Sequence, residues 1–142
     1  MADATGQPPM RRDMARQPQV LSALLARAPD FSAAGAQTVA PGPGGRLLVC
    51  GCGDGFFAAR AAQAWAKAAG LDWQTIGALD LVLSARSLRA EDRVIAISMS
   101  GNVDRTVEAA RAVQERGVPL LALVNGNGGR LGEIATAKIS LD

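Results

Sequence analysis

Histidine is absent from this 142-residue chain, and only two cysteines, Cys50 and Cys52, are present. Imidazole and thiolate are the ligands that zinc prefers in proteins, so no metal site is predicted. The two cysteines are one residue apart, and at an extended strand end their side chains point to opposite sides, which argues against a disulfide between them. Reduced cysteines are typical of the cytoplasm, where we expect the protein to be located.

Long apolar runs and an excess of charge of one sign are also missing. No stretch has the length of a membrane span, and the N-terminus lacks the apolar core of a signal peptide. Fifteen Lys and Arg against thirteen Asp and Glu give a net charge of +2, which predicts neither a nucleic-acid partner nor a membrane partner. Aromatic residues are only 4% of the chain but apolar residues are 49%, a composition that suits one α/β domain with a buried core.

Short apolar segments alternate with helical patterns over the second part of the chain. Strands are predicted at residues 46–51, 73–79, 93–98, 118–124 and 138–141, with helices at 56–69, 104–116 and 131–137 and a short helix or turn at 80–88. Strands that alternate with helices indicate a mostly parallel sheet covered on both faces. We therefore predict a three-layer α/β/α sandwich whose five strands have the flavodoxin-like doubly wound order 2-1-3-4-5.

Residues 1–45 are predicted to be an appendage to this α/β unit, which occupies residues 46–142. Residues 1–9 are polar and contain prolines, so they are expected to be flexible. A helix is predicted over residues 10–27, with a break near Pro18 as an alternative to a continuous helix. The following Ala-, Gly- and Pro-rich segment, residues 28–45, is interpreted as a linker.

Two turns of small residues follow the first and third predicted strands. The first is Gly51-Cys-Gly-Asp-Gly55, and the second is Ser98-Met-Ser-Gly101, just before a predicted helix. The first amides of a helix lack internal partners and carry the positive end of its dipole, so hydroxyls beside them are typical of a phosphate-binding turn. An ordinary strand–helix connection is the alternative. In a doubly wound sheet both turns lie at the carboxyl ends of the strands, where ligands bind.

Four segments share their order and spacing with one known family. Residues 10–18 read Met-Arg-Arg-Asp-Met-Ala-Arg-Gln-Pro, residues 47–51 Leu-Leu-Val-Cys-Gly, residues 97–101 Ile-Ser-Met-Ser-Gly, and residues 122–135 run from Ala-Leu-Val-Asn to Leu-Gly-Glu-Ile-Ala. They resemble the opening helix, first strand, Ser-x-Ser-Gly loop and fourth strand with its helix in the sugar isomerase (SIS) domain. The chain is similar in particular to the first half of the isomerase module of glutamine–fructose-6-phosphate aminotransferases.

The resemblance implies that residues 46–142 bind a hexose or amino-sugar 6-phosphate, as part of an isomerase or an aminotransferase- or deaminase-related enzyme. The phosphosugar-binding residues that it implies are Gly51, Cys52, Gly53, Ser98, Met99, Ser100, Gly101, Asn102, Val103 and Arg105. Several depart from the family pattern. Met99 stands where Gln is common, Asn102 where Glu or Gln is common, and Val103 where a Thr hydroxyl usually meets phosphate, whereas Thr106 is kept. Arg105 stands where an acid is usual, and it either adds positive charge to the site or is a solvated helix residue.

Catalytic residues are not assigned. The family supplies Glu, His and Lys from segments after the fifth strand and from partner subunits, but this sequence ends at Asp142 and contains no histidine. We expect either a fragment of a longer enzyme or a binding module, and a non-catalytic phosphosugar sensor is the second hypothesis. The resemblance also implies a homodimer or higher homo-oligomer, for which the apolar stripe of Leu21, Leu24 and Leu25 is a candidate contact surface.

An S-adenosylmethionine-dependent methyltransferase is the competing interpretation. Residues 51–55 are similar to its glycine-rich turn, and Asp80 could bind ribose, although Val49 stands where these enzymes usually carry an acid. Asp80 as a helix cap is the structural alternative. A dinucleotide site is disfavoured because Phe56 occupies the place of the third glycine. No cofactor is therefore predicted.

Overall fold

A computed structural model describes residues 8–141, apart from the side chains of residues 33, 34, 36 and 37. Within these residues the chain forms two compact units, one ending at Ser32 and the other beginning at Ala33. The strands are β1 (Leu47–Gly51), β2 (Trp73–Gly77), β3 (Arg93–Ile97), β4 (Leu120–Val124) and β5 (Ala137–Ser140). The helices are α1 (Pro9–Ala26), α2 (Ala28–Val39), α3 (Asp54–Ala68), α4 (Ala78–Ser84), α5 (Asp104–Glu115) and α6 (Gly129–Ile134).

The five strands form one sheet in the order β2-β1-β3-β4-β5, with every neighbouring pair parallel. The predicted fold class and strand order are thus confirmed. Gly51 lies opposite both Gly77 and Ile97, and Ile97 lies opposite Leu123. The carboxyl ends of the central strands therefore finish level, which brings the turns after β1 and β3 side by side.

Helices cover both faces of the sheet. Leu48 and Cys50 of β1 belong to a buried cluster with Leu81 of α4 and Val113 of α5. Helix α5 buries residues at the three- and four-residue spacing of an amphipathic helix, namely Thr106, Val107, Ala109, Ala110 and Val113. Helix α3 contacts β1 and β2 and buries only alanines, which allow a close approach to the sheet. The result is the three-layer sandwich.

A buried carboxylate joins the amino ends of β1 and β3. The Asp92 side chain is fully buried and accepts hydrogen bonds from the Arg46 guanidinium at 2.6 Å, the Arg46 amide at 2.8 Å and the Arg89 amide at 3.0 Å. Burial alone raises the pKa of Asp92, but the hydrogen bonds from Arg46 and Arg89 outweigh it and hold that pKa well below its usual range. This network fixes the strand starts at the end of the sheet away from the turns.

The N-terminal part of the chain differs from the prediction in one element. Helix α1 runs without a break through Pro18, and none of its residues is buried. The expected linker over residues 28–45 is wrong for residues 28–39, which form α2. Pro29 is the second residue of α2, and proline is tolerated in a first helical turn because its missing N–H would have no partner there. The flexibility predicted for residues 1–9 falls mainly on residues 1–7, outside the described range.

Among residues 8–141, no helix combines the length and the apolar character that crossing a membrane requires.

Candidate functional site

A cavity of about 600 Å³ opens at the carboxyl ends of β1 and β3. Its walls come from the turn after β1 with the start of α3, from the end of β3 and the loop after it, from the start of α5, and from the residue that follows β4. The lining residues are Cys52, Asp54, Gly55, Ala58, Ile97, Ser98, Met99, Ser100, Val103, Thr106 and Asn125.

Two helix N-termini border this cavity without side-chain caps. Helix α3 starts after Gly53 and α5 starts after Val103, and neither N-cap residue makes a side-chain hydrogen bond. Glycine and valine have no side-chain oxygen, so neither residue caps its helix with a side chain, and in α3 only the Gly55 amide has a backbone partner before the first helical bond, the Cys52 carbonyl oxygen at 3.1 Å. Their partial positive charges favour an anion in the space between them.

Two buried hydroxyls in the cavity wall lack partners. The Ser98 side chain belongs to a residue that is 5% exposed, Thr106 is fully buried, and neither hydroxyl oxygen has a hydrogen-bond partner in the described part of the chain. An unpaired buried hydroxyl costs about 1–3 kcal/mol, so folded proteins rarely keep one without a function. Of the four unpartnered buried side-chain atoms of the described residues, these two lie in the wall of one cavity, and the other two, Trp73 Nε1 and Arg93 Nε, lie outside it.

Close backbone approaches shape the cavity, and they require glycine. A Cβ on Gly55 would lie 2.6 Å from the Ile97 carbonyl oxygen, so only glycine lets α3 begin beside the end of β3. Gly101 has a φ of +64°, and a Cβ there would collide with the Gly128 carbonyl oxygen. The loop after β3 therefore lies directly against the loop after β4.

The two cysteines occupy different environments. Burial raises the pKa of Cys50 to about 12, with a smaller contribution from neighbouring Cys52. Cys50 therefore stays a neutral thiol in the core, whereas half-buried Cys52 lines the cavity. Only Cys52 can contact a ligand there.

Half of the predicted binding residues line the cavity, namely Cys52, Ser98, Met99, Ser100 and Val103. Gly51, Gly53, Gly101, Asn102 and Arg105 lie outside the lining. The Arg105 guanidinium is paired with Glu108 at 2.6 Å, and its side chain is 59% exposed. That geometry matches the solvated-helix alternative, and a role for Arg105 in binding stays a prediction.

Other lining residues were not among those predicted. Asp54 and Gly55 belong to the first turn of α3, which begins two residues before the predicted start at residue 56. Asn125 follows β4, and the rule that ligand contacts follow parallel strands could have found it. Asp80 lies in the first turn of α4 and outside the cavity lining. The N-cap residue of α4 is Gly77, and no side chain makes a capping hydrogen bond there. Residues 8–141 contain no cluster of three or more His, Cys, Asp or Glu that could hold a metal ion.

The family model of the SIS domain matches residues 44–142, which contain all five strands and every lining residue. The chain belongs to the SIS domain family. No curated protein sequence is significantly similar to it.

Solved structures share the fold of this SIS domain at low sequence identity. The C-terminal domain of glucosamine-fructose-6-phosphate aminotransferase from Francisella tularensis aligns with a TM-score of 0.74 and 17% identity, over 94% of this chain and 39% of that one. The sugar isomerase domain of the RpiR transcription factor from Sphaerobacter thermophilus gives 0.73 and 22%, over 94% and 75%. The Vibrio vulnificus NanR protein complexed with ManNAc-6P gives 0.69 and 20%, over 90% and 49%.

Proposed function

We propose that this SIS domain binds a phosphorylated sugar, a hexose or amino-sugar 6-phosphate, in the cavity between β1 and β3. The observation that carries the proposal is the pair of unpartnered hydroxyls of Ser98 and Thr106 between two uncapped helix N-termini. A phosphate offers several acceptor oxygens and a double negative charge. It therefore fits the hydroxyls of Ser98 and Thr106 and the amide donors at the positive end of the α5 dipole.

The rest of the lining fits the sugar part of such a ligand. Asp54 is the only acidic residue of the lining, and a carboxylate accepts hydrogen bonds from sugar hydroxyls but repels phosphate. We therefore orient the sugar toward Asp54 and the phosphate toward Ser98 and Thr106. Ala58 and Ile97 supply apolar surface for the C–H groups of the sugar ring.

We favour the form of the proposal in which these residues bind the phosphosugar but do not by themselves convert it. Interconversion of an aldose and a ketose needs a base that moves a proton between adjacent carbons and an acid that opens the ring. The lining contains no histidine or lysine, and Asp54 is its only titratable group besides Cys52. An isomerase or aminotransferase activity would need groups from other segments or a partner subunit.

A phosphosugar sensor is the second candidate function. The structural neighbours include a transcription factor with a sugar isomerase domain and the NanR protein complexed with ManNAc-6P. Sensing needs only a ligand site and no catalytic groups, and the cavity supplies such a site. We also propose association into a homodimer or higher homo-oligomer, and a monomeric mass in light scattering would contradict that part of the proposal.

Thermal denaturation with a ligand panel tests the proposal. Fructose 6-phosphate, glucosamine 6-phosphate and ManNAc-6P are compared with unphosphorylated fructose and S-adenosylhomocysteine. A ligand present at about 100 times its Kd stabilises the folded state by roughly 2.7 kcal/mol, so at least one phosphosugar should raise Tm by several degrees. The proposal would be overturned if no phosphosugar raised Tm, or if S-adenosylhomocysteine alone raised it.

A further inference from the structure

An arginine outside the cavity is bonded to the loop that carries Ser98 and Ser100. Arg130 lies in the first turn of α6, 28 residues beyond Asn102 in the sequence. One of its guanidinium nitrogens donates to the Asn102 carbonyl oxygen at 2.6 Å and also to the Asp104 carboxylate at 2.7 Å. This single nitrogen joins α6 to the end of the loop and to the first residue of α5.

The Asn102 side chain adds contacts to the same junction. Its Oδ1 accepts a hydrogen bond from the Arg130 amide at 3.2 Å, and its Nδ2 donates to the Ser100 carbonyl oxygen at 3.0 Å. The Asn102 amide in turn donates to the Ser100 hydroxyl at 3.2 Å. These bonds fold the loop onto itself and tie it to α6, so the side chain of Asn102 is occupied within the protein.

Backbone contacts between the two loops continue the junction. The Leu131 amide donates to the Gly101 carbonyl oxygen at 2.9 Å, and the Asn125 amide donates to the Met99 carbonyl oxygen at 2.9 Å. Met99 and Ser100 themselves line the cavity, and among the described residues neither of their amides has a backbone hydrogen-bond partner. The loop is therefore held from its outer side, while its inner side is left for a ligand.

We propose that Arg130 is a positioning residue that holds the Ser98–Asn102 loop in its anion-binding conformation, acting through Asn102 and Asp104. The inference rests on the proposed phosphosugar function. Arg130 is not part of the cavity lining, so it orders the groups that contact the phosphate without contacting the phosphate itself.

The chemistry of the junction supports this role. Asp104 neutralises the guanidinium, and the hydrogen bond from Arg130 keeps the pKa of the Asp104 carboxyl below its ordinary value. The Arg130 and Asp104 side chains are 45% and 89% exposed, and an exposed ion pair of this kind contributes little to global stability. Its main effect is local, because a loop that is already ordered loses less conformational entropy when it binds a ligand.

Isothermal calorimetry on three variants tests the proposal, with fructose 6-phosphate and inorganic phosphate as probes. Arg130→Ala should weaken the binding of both probes about tenfold, because it removes charged hydrogen bonds that order the loop, while Tm stays within about 2 °C of wild type. Arg130→Lys should recover most of the affinity, because one ammonium group can replace the one nitrogen that makes both short contacts. Arg111→Ala removes the same charge from an exposed site two turns along α5 and should leave both affinities unchanged.

Amide hydrogen exchange of the ligand-free protein gives an independent readout. Arg130→Ala should speed exchange at Leu131, whose amide donates to the Gly101 carbonyl oxygen across the junction, and at Gly101, whose amide donates to the Ser98 carbonyl oxygen within the loop. Exchange in β1 should stay unchanged. Wild-type affinity of Arg130→Ala for both probes would overturn the inference, and so would unchanged exchange at these amides. Failure of the wild-type protein to bind either probe or any phosphosugar of the thermal panel would instead overturn the proposed function, and the exchange experiment would still decide whether Arg130 orders the loop.

Discussion

At the scale of single residues, the site trades stability for the ability to bind. Ser98 and Thr106 keep hydroxyls that no protein group satisfies, and Thr106 does so at a fully buried position of an amphipathic helix. A side chain of the same shape without the oxygen would suit that position better if the chain had only to fold. The unpaired hydroxyls are therefore best explained by a ligand that completes them.

Thr106→Val is the substitution that separates these two demands. We expect the free energy of unfolding of the ligand-free protein to rise by about 1 kcal/mol, because an unsatisfied buried hydroxyl is removed with little change of shape. Affinity for the stabilising phosphosugar should fall roughly tenfold, since a hydrogen bond to a charged group is lost. Urea denaturation and calorimetry measure the two effects.

Thr136→Val is the matched control for that experiment. The Thr136 hydroxyl accepts a hydrogen bond from the Leu120 amide at 3.1 Å, so the same substitution should there lower stability and leave affinity unchanged. A loss of stability in Thr106→Val as large as that in Thr136→Val would show that the Thr106 hydroxyl has a partner in the free protein.

At the scale of elements, the loops after β3 and β4 act as one unit because their backbones touch. Gly101→Ala should disturb both loops, since its Cβ would collide with the Gly128 carbonyl oxygen. The expected cost is about 1–2 kcal/mol for the positive φ plus about 1–3 kcal/mol for the steric conflict, together with a large loss of phosphosugar affinity.

Gly117→Ala isolates the first of these two costs. Gly117 has a φ of +65°, almost equal to that of Gly101, but a Cβ there would meet nothing within 4 Å. Chemical denaturation of the two variants should therefore give a smaller destabilisation for Gly117→Ala, with normal affinity. Equal destabilisation in the two variants would mean that the contact between the loops carries no energy.

Sequence patterns predicted the elements whose signals are local. The five strands followed from apolar runs alternating with helical patterns, and the loop at Ser98–Gly101 followed from its small residues before a helix. Helix α2 was missed because the Ala, Gly and Pro content of residues 28–45 was interpreted as that of a linker, whereas proline is also tolerated in a first helical turn. The bond from Arg130 to Asn102 joins residues 28 positions apart, and no periodicity or motif reports a contact of that kind.

At the scale of the whole molecule, the buried ion pair and the cavity lie at opposite ends of the sheet. The Asp92–Arg46 network joins the amino ends of β1 and β3, and the cavity opens at their carboxyl ends. Because the folded-state pKa of Asp92 is lowered, its contribution to stability is present above the unfolded pKa near 4 and is lost as the pH falls below it.

Asp92→Asn tests this assignment. At neutral pH we expect a loss of about 1.5–3 kcal/mol in the free energy of unfolding, because the charged hydrogen bonds from Arg46, whose side chain is 30% exposed, are weakened. The decline in wild-type stability below about pH 4 should become shallower in the variant. Asp72→Asn, at an exposed position, is the control and should change neither quantity. Denaturation across this pH range gives both, and an acid dependence identical to that of wild type would exclude Asp92 as its source.

The level alignment of Gly51 and Ile97 has a practical consequence. The glycine turn and the hydroxyl loop come from separate halves of the polypeptide, so a cut in the exposed connection at residues 70–72 would leave each piece with half a recognition site. Ligand capture would then report whether the two pieces have reassembled, which makes this domain a candidate for a split sensor.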